Sequence, residues 1–304
     1  GAETTTSKSP TFPSPAIANL RYHDPPHPNP GDGMDKDWRN ICDEFMRCTS
    51  YSPSEWHLWD DRPEYDPAKR PETYLNFPDA PVRIPLTEPV LPDQPNLWEV
   101  MRDRRSKRNY LPEPLTLSEL NTLLWATQGI TADMGAYQLR TSPSSGALYP
   151  LETYLMVHDV VGLTPGVYHL DVKNWTLEGL HFPDDLRAKT CRAALGQEAA
   201  RHAAVAFVWT AVIERCRRKY LERTYRYLWW DAGHNSQNLQ LAATALGLGA
   251  CTMGAWFDDL LNELCGIDGA EHTAALFATV GRIRGEDWRE DRRPLPKTEP
   301  PGST

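Results

Sequence analysis

Apolar positions recur along the chain with two periods, and the switches between them outline its elements. Over residues 116–127, Leu117, Leu120, Leu123 and Leu124 form a helical stripe. Thr116 and Glu119 are spaced as a capping box, and Gly129 stops the helix. Residues 96–104, 184–195 and 217–246 also read as helical, the last for much of its length, with Gly247 as its stop. Residues 151–157 read as a buried strand, and 166–170 with 176–180 as a hairpin across 171–174. In 203–213, Val205, Phe207, Val208, Trp209 and Val212 suit a strand buried on both faces. A last strand is expected over 274–282. Strands of hairpin type mixed with helices predict an α+β arrangement of layers.

The amino-terminal third breaks this pattern. Residues 1–95 hold 17 of the 27 prolines, which leaves room for few regular elements. Only 35–47 has helical spacing, through Trp38, Ile41, Phe45 and Met46. Trp56, Trp59 and Tyr65 make the segment too aromatic for a free linker. The reading is therefore an extension over 1–95, mobile over 1–15 and otherwise wrapping a compact domain over 96–285, with a tail over 286–304.

Composition narrows the function. A net charge of −9 excludes a nucleic-acid track, which needs a basic stripe to displace counterions. The arginines gather instead at 104–108, 215–226 and 282–293, a distribution suited to a few bound anionic groups. Six cysteines without a CxxC pair, and nine histidines without an HExxH motif, argue against a metal site and for free thiols in a reducing cytosol. The start of the chain has no signal pattern, and the longest apolar run, 203–213, is about half the length of a membrane span. A soluble, cytoplasmic protein is expected.

Five local patterns are candidates for chemistry. Gly247, Gly249 and Gly254 follow a helical stretch instead of opening one, so they do not form a dinucleotide fingerprint. Arg104, Ser106 and Arg108, spaced by two, could present two guanidinium forks and a hydroxyl to one phosphate, or form a solvated basic turn. Ser144-Ser145-Gly146 is a hydroxyl-rich turn that could approach a ring, or simply a loop. Lys219-Tyr220 reads as an acid/base pair, because a tyrosine becomes a usable base when a cation lies beside it and water is excluded. Arg218 and Arg223 are further candidates for that cation, and the alternative is a pair of interface aromatics with a solvated lysine. Asp231, His234 and Gln237 could form a polar ridge on the long helix, with His234 more readily structural than catalytic.

The order Arg-Arg-Ser-x-Arg-x-Tyr (104–110), Pro-Ser-Ser-Gly-Ala-Leu-Tyr-Pro (143–150), Lys-Tyr-x-x-Arg-x-Tyr-Arg-Tyr (219–227) and Asp-Ala-Gly-His-x-x-Gln-Asn-Leu (231–239) resembles SagB-type dehydrogenases of the nitroreductase superfamily over roughly 95–285. The resemblance implies a nitroreductase-like three-layer α+β fold, with a central, mostly antiparallel sheet flanked by helices. It also implies an obligate homodimer with two FMN sites at its interface. Arg104, Arg105, Ser106 and Arg108 would form the phosphate-binding run; Pro143, Ser144 and Ser145 would reach FMN from the partner subunit. Gln197 would set its amide against the flavin ring, the backbone around Cys251–Ala255, with Met253 and Gly254, would line the flavin near its reactive nitrogen, and Arg282 or Arg284 would add a phosphate contact. Lys219 and Tyr220 would be the acid/base element of an enzyme oxidising a thiazoline or oxazoline in a peptide or carrier-bound substrate. Such an enzyme would work beside a cyclodehydratase or another biosynthetic enzyme. Two other readings stay open: an NAD(P)H-dependent nitro or quinone reductase, and a non-catalytic docking subunit.

Overall fold

Capping chemistry and apolar periodicity set the elements, which the computed structural model describes over residues 37–50, 71–135 and 137–284, with side chains from 41 onward. Expectations for 1–15, Trp38, Trp56, Trp59, Tyr65 and the tail over 286–304 lie outside the described residues. The chain divides into two units, 1–48 and 49–304. In the first, α1 (Asp37–Cys48) realises the predicted early helix and exposes Ile41, Phe45 and Met46.

The second unit begins with β1 (Val82–Pro85), a strand inside the proline-rich segment that periodicity did not reveal. α2 (Leu97–Asp103) starts at a capping box made by Asn96 and Glu99, and α3 (Leu117–Gln128) at the one predicted from Thr116 and Glu119. A small hairpin, β2 (Ile130–Asp133) with β3 (Gln138–Arg140), leads to β4 (Leu151–Val157), then to the predicted hairpin β5 (Gly166–Asp171) and β6 (Thr176–His181). α4 (Leu186–Ala193), α5 (Glu198–His202) and β7 (Val205–Val212) follow. Next come α6 (Glu214–Tyr220), a 3₁₀ turn Leu221–Arg223 and the 22-residue α7 (Thr224–Ala245). β8 (Gly249–Met253), α8 (Asp258–Cys265) and β9 (His272–Gly281) complete the unit.

Seven strands form one sheet in the order β1-β6-β5-β4-β7-β9-β8, and every named pairing in it is antiparallel. β7 lies near its middle, with Phe207 opposite Leu155 on one side and Ala278 on the other. Alternation divides the core between the two faces. Leu155, Val157, Phe207 and Trp209 pack with Leu120, Leu124, Leu228 and Leu239 of α3 and α7. Tyr154, Met156, Ala206 and Val208 pack with Leu186, Ala200 and Leu261 of α4, α5 and α8. The result is the three-layer α+β arrangement predicted above.

Two sequence expectations need correction. The helix predicted over 217–246 is broken, because Leu221 adopts φ 49°, ψ −134°, outside any helical region. No Gly or Pro marks the break; tertiary bonds on both sides impose it. Arg215 holds α6 against β4, while Arg223 and Arg226 donate to Thr49 at 2.7 Å each. Residues 249–253, where the sequence pattern predicted no strand, form an edge strand, with Ala250 and Cys251 buried.

All six cysteines are free. Cys42 and Cys48 are exposed on α1, whereas Cys191, Cys216, Cys251 and Cys265 are buried.

Candidate active site

The predicted site residues gather in two clusters. The basic run leaves α2 and lies along β8: Ser106 bridges Ala250 in parallel fashion, and the Lys107 amide donates to the Ala250 carbonyl at 2.9 Å. Gly249 permits this approach, since a Cβ there would meet Ile283 and the Lys107 Cβ. Tyr110 latches the run, its hydroxyl 2.8 Å from both Lys107 O and Thr279 Oγ1 and its ring against Gly281. Arg104 Nη1 donates to Gln240 Oε1 at 3.0 Å, and Gln240 Nε2 donates to Thr252 Oγ1 at 3.0 Å. Ser236 bonds the same Thr252 hydroxyl. Neither Arg104 nor Arg108 has a carboxylate partner among the described residues, a donor set suited to an anion that the chain does not itself supply.

Arg108 shares an open groove with Asn109, Tyr110 and Gln197. Gln197 Nε2 donates to Ala255 O at 2.9 Å, which ties the groove to the segment after β8. Met253 is buried; Gly254 is exposed, with open space where a Cβ would stand. Arg105 turns away, donating to the carbonyls of Arg102 and Arg104.

Arg282 is placed differently from its expected role. It makes a two-pronged ion pair with Glu119 at 2.8–2.9 Å and donates to Pro114 O. Burial alone would push the Glu119 carboxyl up, but bonds from Thr116 and Arg282 bring it below its ordinary value. The guanidinium therefore braces the start of α3, its donors engaged by Glu119 and Pro114 instead of the phosphate contact expected of it.

The second cluster is centred on residues 143–149. Ser144 Oγ donates to Asp231 Oδ2 at 2.6 Å and accepts from the Tyr149 amide at 2.9 Å. Ser145 donates to Asp231 through its amide at 3.1 Å and its hydroxyl at 3.2 Å. Burial raises the Asp231 carboxyl above its ordinary value, opposed by these bonds. Asp231 is thus a clamp for the turn, while His234 and Gln237 of the expected ridge are exposed. Gly146 (φ 64°), Ala147 (φ 53°) and Tyr149 (φ 45°) are all left-handed. For the two non-glycine residues this is strain, of the kind concentrated at functional sites.

Lys219 and Tyr220 converge on that turn. A Cβ on Gly146 would collide with the Tyr220 hydroxyl and would stand 2.8 Å from Lys219 Nζ. Lys219 Nζ lies 5.2 Å from the centre of the Tyr220 ring, whose edge meets Tyr227 at 4.7 Å between centroids. Arg223 lies over Tyr227 and Trp230, and Arg218 Nε donates to Arg215 O, so Lys219 is the cation that accompanies Tyr220 onto Gly146. Sequence reasoning missed Asp231 as a clamp, Tyr110 as a latch and Gly146 as a seat. Only the glycine left a signal, as the one residue in its motif that tolerates such contacts.

α7 joins the clusters, holding the turn through Asp231 and the basic run through Gln240; nine residues of helix place these about 14 Å apart. The nitroreductase family profile matches residues 101–282, a span that contains both clusters. A candidate nitroreductase of Methanocaldococcus jannaschii is 38% identical over 194 residues, covering 63% of this chain and 94% of that protein. The trifolitoxin-processing protein TfxB of Rhizobium leguminosarum bv. trifolii is 33% identical over 147 residues, covering 45% of this chain but only 39% of its own. Among solved structures, a candidate nitroreductase of Anabaena variabilis superposes with a TM-score of 0.59 at 33% identity, over 69% of this chain and 43% of that one. With its antiparallel sheet, its paired clusters and a profile match over most of its length, the chain belongs to the nitroreductase family.

Proposed function

We propose that the protein is an FMN-dependent dehydrogenase that oxidises an azoline, or a similar C–C or C–N bond, in a peptide-derived natural product. The observation that carries this reading is the convergence of the Lys219 ammonium and the Tyr220 hydroxyl on Gly146, beside the Ser144-Ser145 turn. Nitro reduction does not call for a base pre-set against such a turn; removing hydrogen from a carbon does. Similarity to a trifolitoxin-processing protein supports a peptide-derived substrate.

Arg104, Ser106 and Arg108 would hold the phosphate of FMN, with Gln197, Met253 and Gly254 along the ring. Pro143, Ser144 and Ser145 would approach from the second subunit of a homodimer. Bound FMN supplies a two-electron acceptor for the hydrogen that leaves as hydride. Tyr220 would act as the phenolate, stabilised beside the Lys219 ammonium, and would take the accompanying proton at that oxygen to become the neutral phenol. Asp231 keeps the turn in place by binding both serines, and Gly146 gives the pair its room. A cyclodehydratase or another biosynthetic enzyme would supply the substrate.

Tyr220→Phe is the direct test: FMN content should match wild type, and oxidation of a thiazoline peptide should fall about 10²–10⁴-fold, the usual worth of a general base. Full turnover in that variant would remove Tyr220 from the mechanism. The similarity to candidate nitroreductases favours a second reading, an NAD(P)H-dependent nitro or quinone reductase. Rapid bleaching of the FMN-loaded protein by NADH or NADPH would select it.

A further inference from the structure

We propose that Arg215 is a positioning residue that holds the Lys219–Tyr220 pair on the Gly146 turn; the inference rests on the reading above, in which that pair moves the proton. Arg215 is the second residue of α6, four and five positions before the pair, and only 3% exposed. Its Nε donates to the Glu72 carbonyl at 2.7 Å. Nη1 donates to the Tyr149 carbonyl at 3.2 Å and meets Glu152 Oε1 at 2.6 Å. One guanidinium thus joins the helix that ends in the pair, the strained end of the turn that seats it, and the buried strand β4.

The anchor behind Arg215 is firm. The second Glu152 oxygen lies 3.1 Å from His169 Nε2, and His169 Nδ1 lies 3.0 Å from Glu178 Oε2. Glu178 accepts from the Phe77 amide and pairs with Arg83. This ladder crosses β4, β5 and β6, and Glu152, His169 and Glu178 are all buried. The bond to the Tyr149 carbonyl ties the guanidinium to the turn, and three acceptors in different directions suit a planar fork better than a lysine. α6 itself has seven residues and ends at the left-handed Leu221, so helical propensity alone cannot fix its last two side chains.

The test is a double-mutant cycle in the FMN-loaded, full-length protein, with a synthetic peptide bearing one thiazoline. Arg215→Gln should lower kcat about 10²-fold, as a displacement of about 1 Å can, while KM and FMN content stay at wild-type values. Arg215→Lys should recover part of that loss. In the Tyr220→Phe background Arg215→Gln should cost nothing further, because its effect passes through Tyr220. An equal loss in both backgrounds would overturn the proposal. If Arg215→Gln fails to fold with Glu152 left unpaired, Glu152→Gln/Arg215→Met removes both charges; wild-type kcat in that variant would also overturn it. Hydrogen exchange of the same variant separates this inference from the functional reading, since it needs no substrate. Faster exchange at 144–149 and 214–223, with α8 unchanged, supports Arg215 as the anchor whatever the reaction, and unchanged exchange at both segments refutes it.

Discussion

At Gly146 the Tyr220 hydroxyl and the Lys219 ammonium stand where the first carbon of a side chain would be. The glycine's left-handed φ already disfavours a side chain, and a Cβ would occupy the place of the Tyr220 hydroxyl. Gly146→Ala should therefore keep the flavin and lose most turnover, a split read by comparing the flavin spectrum with steady-state rates. The arginines divide by their partners. In the proposed site Arg104 and Arg108 hold the FMN phosphate, so replacing either by Gln should weaken FMN binding about 10–100-fold in a fluorescence titration, the worth of one charge-assisted hydrogen bond. Arg282 already has Glu119. Arg282→Gln should cost about 1–2 kcal/mol of stability in denaturant melts and leave FMN affinity unchanged.

Among the elements, legibility followed locality. Residues 116–127 and 151–157 were readable because their capping and burial signals lie within the segment, and the helix formed one residue along at 117–128 while the strand formed where expected. β1 and β8 were hidden, because a four-residue strand ending in Pro85 and a run such as Gly-Ala-Cys-Thr-Met gain their pairing from distant strands. The residue types of the site were legible from motif order, but their wiring was not. Asp231 could be seen on a helix, yet not its three donors in a loop more than 80 residues away. The break between α6 and α7 is the clearest case of tertiary bonds overriding propensity. Leu221→Gly should relieve its backbone strain and stabilise the fold by about 1 kcal/mol in thermal unfolding, net of the entropy cost of glycine.

In the molecule as a whole, the buried ladder contributes to the response to pH at both ends of the range. Burial would raise the Glu152 carboxyl, yet Arg215 and His169 overcome it and hold the group near 2, against an ordinary 4.5. Its contribution is thus complete above pH 4.5 and is lost as the pH falls through 2. His169 behaves oppositely: burial alone would lower it, but bonds to Glu152 and Glu178 raise it above 6.5, so its share is complete below pH 6.5 and fades as the pH climbs through the raised value. Melts of Glu152→Gln should start lower at neutral pH and vary less between pH 4.5 and 2 than those of wild type. The cysteines respond to chemistry in an equally uneven way. Burial raises the thiols of Cys216, to about 12, and of Cys251 and Cys265, while Cys42 and Cys48 stand in the open on α1. A maleimide dye added to the native protein should add two labels by mass, both on α1. The wild-type chain thus carries two natural dye sites, both confined to its amino-terminal unit, without a single engineered cysteine.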